Sequence, residues 1–367
     1  MKKFLVLFLG FVLFFSACDK KDKDHIIKNN TVEKSMIKIG VITPLTGDGA
    51  TYGEATKRGI ELALGDRKDI QLIYEDSKLN QKDSVAAIKK LIFKDKVDAI
   101  FGPFASSNVL AVAPIAEKNK ILLMTASATA DAIKDSGKYI FRNVPANNVQ
   151  GITAANFIAK KLKTKKVYVY NMYNDYGISL KDSFVNESSK VGLEIVGKDS
   201  FQPNTKDFKN SLLKIKSTNA EVIFFPGHYK ECGLILKQAR ELGIDAIFVG
   251  TDGAYSPTLI DIAKESAEGS YYTLMAVDKN KIEYKEFEKK YRDKYQASPD
   301  TYATYAYDAF NIIQSINIKV DPLNELMSKS FNSISLGKIK FDENGETKSS
   351  YMVYKIINRR FVSDATD

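Results

Sequence analysis

The chain has 367 residues, 44% of them hydrophobic and 27% charged. At roughly 150 residues per domain that is length for two domains and enough apolar material to exclude wholesale disorder. Lysine and arginine exceed aspartate and glutamate by 54 to 45, an excess spread thinly along the chain. With two cysteines and two histidines in all, neither a disulfide framework nor a zinc or His-rich metal site is expected.

Lys2 and Lys3 precede an apolar run over 4–15, and Ser16-Ala17-Cys18 follow. A short positive region, an apolar stretch and small residues make a secretory signal, read here as residues 1–17. About a dozen apolar residues are too few to span a bilayer of roughly 30 Å. Phe15-Ser16-Ala17-Cys18 resembles a bacterial lipobox, with Phe15 where leucine is usual, and so Cys18 is expected to carry the lipid. The polar, aperiodic stretch 18–35 reads as a flexible tether, and Cys232 is then the only thiol of the folded part.

From Met36 onward strands alternate with helices. The pattern predicts strands over 37–42, 70–74, 97–101 and 121–124, with helices over 52–64, 81–93 and 107–118 between them. A second series has helices over 149–162 and 178–191 and strands over 166–170, 194–198, 221–225 and 246–249, with further helices from Asp207 and Tyr229. Such βαβα succession predicts an α/β fold of two similar lobes, each a parallel sheet flanked by helices. After Gly269 the order lapses into helices from Tyr284 and Tyr302, then a hairpin of 337–341 with 350–356 about the turn Asp342-Glu343-Asn344-Gly345.

Ligands of open parallel sheets bind outside the carboxyl ends of the strands. In the first series those loops are 43–53, 102–107 and 125–129, with hydroxyls and helix-start N–H groups but no lysine or arginine. Ser106 and Ser107 open a helix, which suits an anion or an ordinary N-cap. Ser127 and Thr129 lie in a run of small residues. Second-series loops carry Tyr176, His228 and Asp252; Asp252 reads as a carboxylate for a ligand or as the turn residue of Asp-Gly. Hydroxyls and amides on one side and a carboxylate with aromatics on the other suit a zwitterion, because a charge enclosed in a cleft needs an opposite partner.

Other chemistries fit poorly. Gly47-x-Gly49-x-x-x-Gly53 misses the dinucleotide spacing, which would put glycine at Tyr52, and Glu75 and Asp76 lie too far downstream. No nucleophile elbow, phosphate loop or H-E-x-x-H is present. With His25 in the tether and His228 alone in the fold, a Ser-His pair is unavailable. No enzyme activity, cofactor or metal is therefore expected. The cluster Lys160, Lys161, Lys163, Lys165 and Lys166 marks a solvated turn, and export removes nucleic acid as a partner.

Taken in order, TPLTGDGATYGEATKRGIELA, FGPFASSNVLAVAPIAE, LLMTASATAD with FRNVP, NDYGISL, FFPGHYKECGLILKQARELG and FVGTDG run through nearly all of the chain after Met36. They resemble the periplasmic Leu/Ile/Val-binding protein group, the type I substrate-binding proteins of amino-acid ABC transporters. The resemblance implies two lobes hinged by crossovers near Ala146, Met275 and Leu336: residues 36–146 plus 276–336, and 147–275 plus 337–367. It implies that Ser106 and Thr129 hold the ligand carboxylate, with backbone contacts at Ser127. Asp252 would take the ammonium beside Tyr176, while Tyr52, Phe104 and Tyr302 line the side-chain pocket. Three positions depart from the group: Asp252 replaces a glutamate, His228 a tyrosine and Ala105 a cysteine.

The expectation is a monomeric, lipid-anchored, extracytoplasmic binder of an aliphatic or aromatic amino acid that closes about its ligand and hands it to an ABC permease. The alternatives are a ligand-sensing subunit for a membrane signalling partner and a binder of an amide or urea-type solute.

Overall fold

A computed structural model of the chain describes residues 36–364. The signal, the tether and Cys18 lie outside the described residues.

The first sheet contains β1 (Ile37–Thr43), β2 (Ile70–Asp76), β3 (Ala99–Phe101), β4 (Leu122–Thr125) and β5 (Ile140–Arg142), in the order β2-β1-β3-β4-β5. All of its pairings are parallel. Helices α1 (Ala50–Leu64), α2 (Gln81–Lys89) and α3 (Ser106–Asn119) connect the strands. Side chains alternate between faces along a strand, and both faces are apolar here. Ile39, Val41, Phe101 and Met124 enter one buried cluster, and Ile42, Ile100, Leu123 and Ile140 enter another. That is why these strands read as continuous apolar runs.

The second sheet follows α4 (Asn147–Phe157). It holds β6 (Lys166–Met172), β7 (Glu194–Phe201), β8 (Val222–Phe224), β9 (Ile247–Thr251) and β10 (Tyr271–Met275). Helices α5 (Asp175–Lys190), α6 (Lys209–Lys216), α7 (Tyr229–Glu241) and α8 (Pro257–Ala263) lie between them. Two late strands, β13 (Tyr351–Ile357) and β14 (Arg360–Ser363), complete the order β14-β13-β10-β9-β8-β6-β7. Val167, Val169 and Phe224 bury on one face, and Tyr168, Tyr170 and Phe225 on the other.

The remaining segments are α9 (Ile282–Tyr295), α10 (Thr301–Ser315), α11 (Pro322–Ser328), β11 (Phe331–Ser333) and β12 (Gly337–Ile339). Helix α10 returns to the first sheet and packs along α1. Gly59 permits the close approach, since a Cβ there would strike the Ala303 carbonyl.

The predicted hairpin is corrected. The turn at 342–345 forms, closed by a bridge between Phe341 and Thr347, but its flanks pair elsewhere: β12 with β11, and β13 antiparallel to both β10 and β14. All five residues of β10 find partners on β13, more ladder than the three-residue β12 offers. The turn itself docks on β5. Arg142 N donates to Gly345 O at 3.0 Å, and the buried Arg142 guanidinium forms an ion pair with Glu346 at 2.6 Å.

Candidate functional site

The loops at the carboxyl ends of the strands meet in one place. From the first series, Ser106 is the first residue of α3 and Ala105 occupies the N-cap without capping it. Ser106 Oγ instead accepts N–H bonds from Thr129 and Ala130, each 3.1 Å. Both incoming bonds use its lone pairs, so its own proton is free to donate. Ser127 Oγ donates to Phe104 O at 2.9 Å. Thr129 is fully buried, and its Oγ1 has no partner among the described residues.

From the second series, Asp252 sits just past β9. Its backbone makes the expected turn, with Tyr255 N donating to Asp252 O at 2.8 Å, while its side chain faces inward and is 3% exposed. The turn reading of this aspartate thus describes its backbone, while its carboxyl is left facing the interior. Tyr176 Oη lies 2.7 Å from Asp252 Oδ1 and 2.8 Å from Thr251 Oγ1, and accepts from Gly253 N at 2.9 Å. A carboxylate only accepts, so the phenol proton points to Asp252 and the Thr251 hydroxyl donates to the phenol. Burial pushes the Asp252 carboxyl up to about 6, against the opposing hydrogen bonds from Tyr176 and Gln150. Burial also drives the Tyr176 phenol up, with the neighbouring Asp252 charge adding to it.

The aromatic residues close one flank. Tyr52 stacks on Phe104 with centroids 4.5 Å apart, and Tyr302 meets Phe104 at 4.9 Å and Tyr52 at 5.4 Å. Tyr52 donates to Gly253 O, and Tyr302 donates to Asp252 O at 2.6 Å. His228 stands edge-on to Tyr52 and nearly parallel to Tyr176, 6.1 Å from each. Burial lowers its pKa, which keeps the imidazole neutral at pH 7.

All nine positions singled out in the fold are thus brought into one connected cluster. Three of its members were missed. Asn147 gives its backbone N–H to Thr129 O at 2.8 Å and its Nδ2 to Tyr176 O at 3.1 Å, tying the hydroxyl side to the carboxylate side. Gln150 donates Nε2 to Thr273 O and lies in hydrogen-bond reach of Asp252. Both are fully buried in the first turn of α4. Three side-chain amides among the first four residues of the helix, Asn147, Asn148 and Gln150, were the available signal. Tyr229 was also missed; it packs 4.9 Å from Tyr52 and donates to Asp48 O at 2.6 Å, beside a Lys230–Asp48 ion pair.

Among the described residues no group of three or more His, Cys, Asp or Glu is placed to hold a metal ion. No described helix is long and apolar enough to cross a membrane. Cys232 is buried in α7, with Sγ toward Phe225 O.

A family model described as periplasmic binding protein matches residues 36–315. The chain is 29% identical over 335 residues to the leucine-, isoleucine-, valine-, threonine- and alanine-binding protein of Pseudomonas aeruginosa, spanning 87% of this chain and 89% of that one. A leucine-binding protein from Thermotoga maritima is similar in structure, with a TM-score of 0.85 at 29% identity over 90% of this chain and 98% of its own. The branched-chain amino acid transporter substrate-binding protein of Streptococcus pneumoniae, solved with isoleucine, gives 0.82 at 28% identity over 89% and 98%.

Proposed function

The chain belongs to the periplasmic binding protein family, and on that premise we propose that it captures an amino acid between its two sheets and delivers it to an ABC permease. The first lobe takes 36–146 with 276–336, and the second takes 147–275 with the last strands. The segment expected to cross over near Leu336 stays with the first lobe through the turn at 342–346, which docks on β5, and joins the second only at β13. The ligand lies where the strand ends of the two lobes face each other. The Ser106 hydroxyl, Thr129 and backbone N–H groups near Ser127 take the carboxylate, and Asp252, steadied by Tyr176 and Gln150, takes the ammonium. Closure adds the second set of contacts to the first and expels water. No bond of the ligand is made or broken. The protein acts as a monomer outside the cytoplasm, anchored through Cys18.

The observation that carries this reading is the pairing of unlike walls. A buried carboxyl raised to about 6 is joined through Asn147 to a wall whose Ser106 proton is unspent. The relatives named as amino-acid binders support it. The test is a thermal-shift screen of the amino acids with simple amides alongside. At a hundred times its Kd a ligand adds about 2.7 kcal/mol of stability. Shifts with amides and none with amino acids would reject the reading.

Two further results are expected. Ser106→Ala weakens amino-acid binding by about three- to tenfold by calorimetry, the cost of one hydrogen bond, because the backbone N–H groups remain. Affinity is also pH-dependent. A ligand ammonium needs Asp252 ionised, so affinity is flat above pH 7 and falls about tenfold per unit once the pH drops below about 6. Binding near pH 6 therefore releases a proton, which calorimetry in buffers of different ionisation enthalpy measures directly. Affinity unchanged between pH 5 and 8 would separate Asp252 from the ligand.

A further inference from the structure

The aromatic flank leaves a ligand side chain little to displace. Tyr52, Tyr302 and Phe104 are 1%, 2% and 7% exposed, their ring surfaces spent on one another. The hydroxyls of Tyr52, Tyr302 and Tyr229 are all tied to backbone carbonyls. Space lies on the opposite side of His228. There the two halves enclose a cavity of about 600 Å³, whose walls include Ser107, Asn108, Asn174, Asn204, His228 and Glu231. These six are polar, and the same wall also carries the charged Asp48, Lys78 and Asp175 and the apolar Leu79, Ile178 and Pro203.

His228 belongs to both places: one side of its ring faces Tyr52 and Tyr176, and it also lines the cavity. As a neutral imidazole it offers one N–H and one lone pair. Asn108 is 1% exposed, and its Nδ2 has no acceptor among the described residues. Glu231 is 5% exposed and spends Oε1 on Asn204 N at 2.8 Å, with acceptor capacity to spare.

We infer that the side chain of the bound amino acid passes His228 into this cavity, so that the protein selects a long side chain ending in a carboxamide over an aliphatic one. The inference rests on the amino-acid reading above and replaces its aliphatic or aromatic expectation. A carboxamide needs a donor for its oxygen and an acceptor for its NH₂, and the wall supplies donors from His228 and Asn108 and an acceptor from Glu231. An aliphatic side chain would leave those buried groups unpaired, which is how a hydrogen-bonding site rejects an apolar analogue.

The test is calorimetry on the intact protein with glutamine, leucine and alanine as probes. Glutamine is expected to bind at least about tenfold more tightly than leucine. His228→Phe and Glu231→Gln should each reduce the glutamine-to-leucine affinity ratio about tenfold. The ratio cancels any general damage to the fold, and the amide oxygen introduced by Glu231→Gln still accepts from Asn204 N. Leucine binding as tightly as glutamine, or a ratio that neither substitution moves, would overturn the inference. Alanine carries the shared end groups alone. Its binding in that event would leave the amino-acid reading standing, whereas failure of all three probes would overturn both.

Discussion

Asp252→Asn is expected to weaken amino-acid binding by more than tenfold, on the order of a hundredfold, and at the same time to make the unliganded protein more stable at pH 8. The two effects have one cause. Removing one member of a buried charge pair leaves the other uncompensated, at a cost of about 3–5 kcal/mol; here the orphan would be the ligand ammonium. Without a ligand it is the carboxylate that lacks a counter-charge, and burial has lifted it to about 6. A carboxyl raised above its unfolded value stabilises the fold fully below about pH 4, and that contribution is lost as the pH climbs through 6. By pH 8 the penalty is up to about 3 kcal/mol, from roughly two units at about 1.4 kcal/mol each. Asparagine removes the charge and keeps an acceptor for the Tyr176 hydroxyl. The variant should therefore melt higher than the parent at pH 8 and about equally at pH 4, while calorimetry shows the lost affinity. An unchanged Kd would refute the ammonium assignment, and equal melting at pH 8 would refute the account of an unpaired buried charge.

Arg142→Leu is expected to destabilise the fold by about 3–5 kcal/mol, the largest effect away from the candidate site. Arg142 is 1% exposed and gives Nη1 to Ala130 O and Nη2 to Glu346, both at 2.8 Å. Leucine there strands a carboxylate whose side chain is 18% exposed, and leaves the Ala130 carbonyl with the Ile133 N–H alone. Arg142→Lys should rescue little, since one ammonium cannot replace a planar fork that serves two acceptors. Pairing Arg142→Leu with Glu346→Gln should recover part of the loss. Urea unfolding measures all three. A loss below about 1 kcal/mol for Arg142→Leu would mean that Glu346 reaches water instead.

Where both faces of a strand are covered, the sequence was easy to read. Ile39, Val41 and Ile42 form an unbroken apolar run because each face has its own cluster to enter. Strands such as β5, with three residues, carry no period at all, and β5 went unread although Arg142 stands at its end. The partner of that arginine lies 204 positions later, a separation no local pattern signals. The loops at strand ends held the candidate site, so Ser106, Thr129, Tyr176 and Asp252 could be picked by chemistry and position together. Asn147 and Gln150 were missed because a helix start hides which of its polar residues turn inward. The aromatic flank was legible as rings, but that Tyr52, Phe104 and Tyr302 spend their faces on one another is a fact of tertiary packing.

Cys232 carries a practical consequence. It is wholly enclosed in α7, and burial raises its thiol well above the ordinary range, so at neutral pH it presents almost no reactive sulfur anion to a labelling reagent. The folded body can thus be given a single reporter dye through an engineered cysteine at an exposed rim position such as Tyr173, which is 57% exposed beside the cavity. Fluorescence from such a conjugate would report whether ligand moves the two sheets relative to each other, with no exposed thiol among the described residues to mask first.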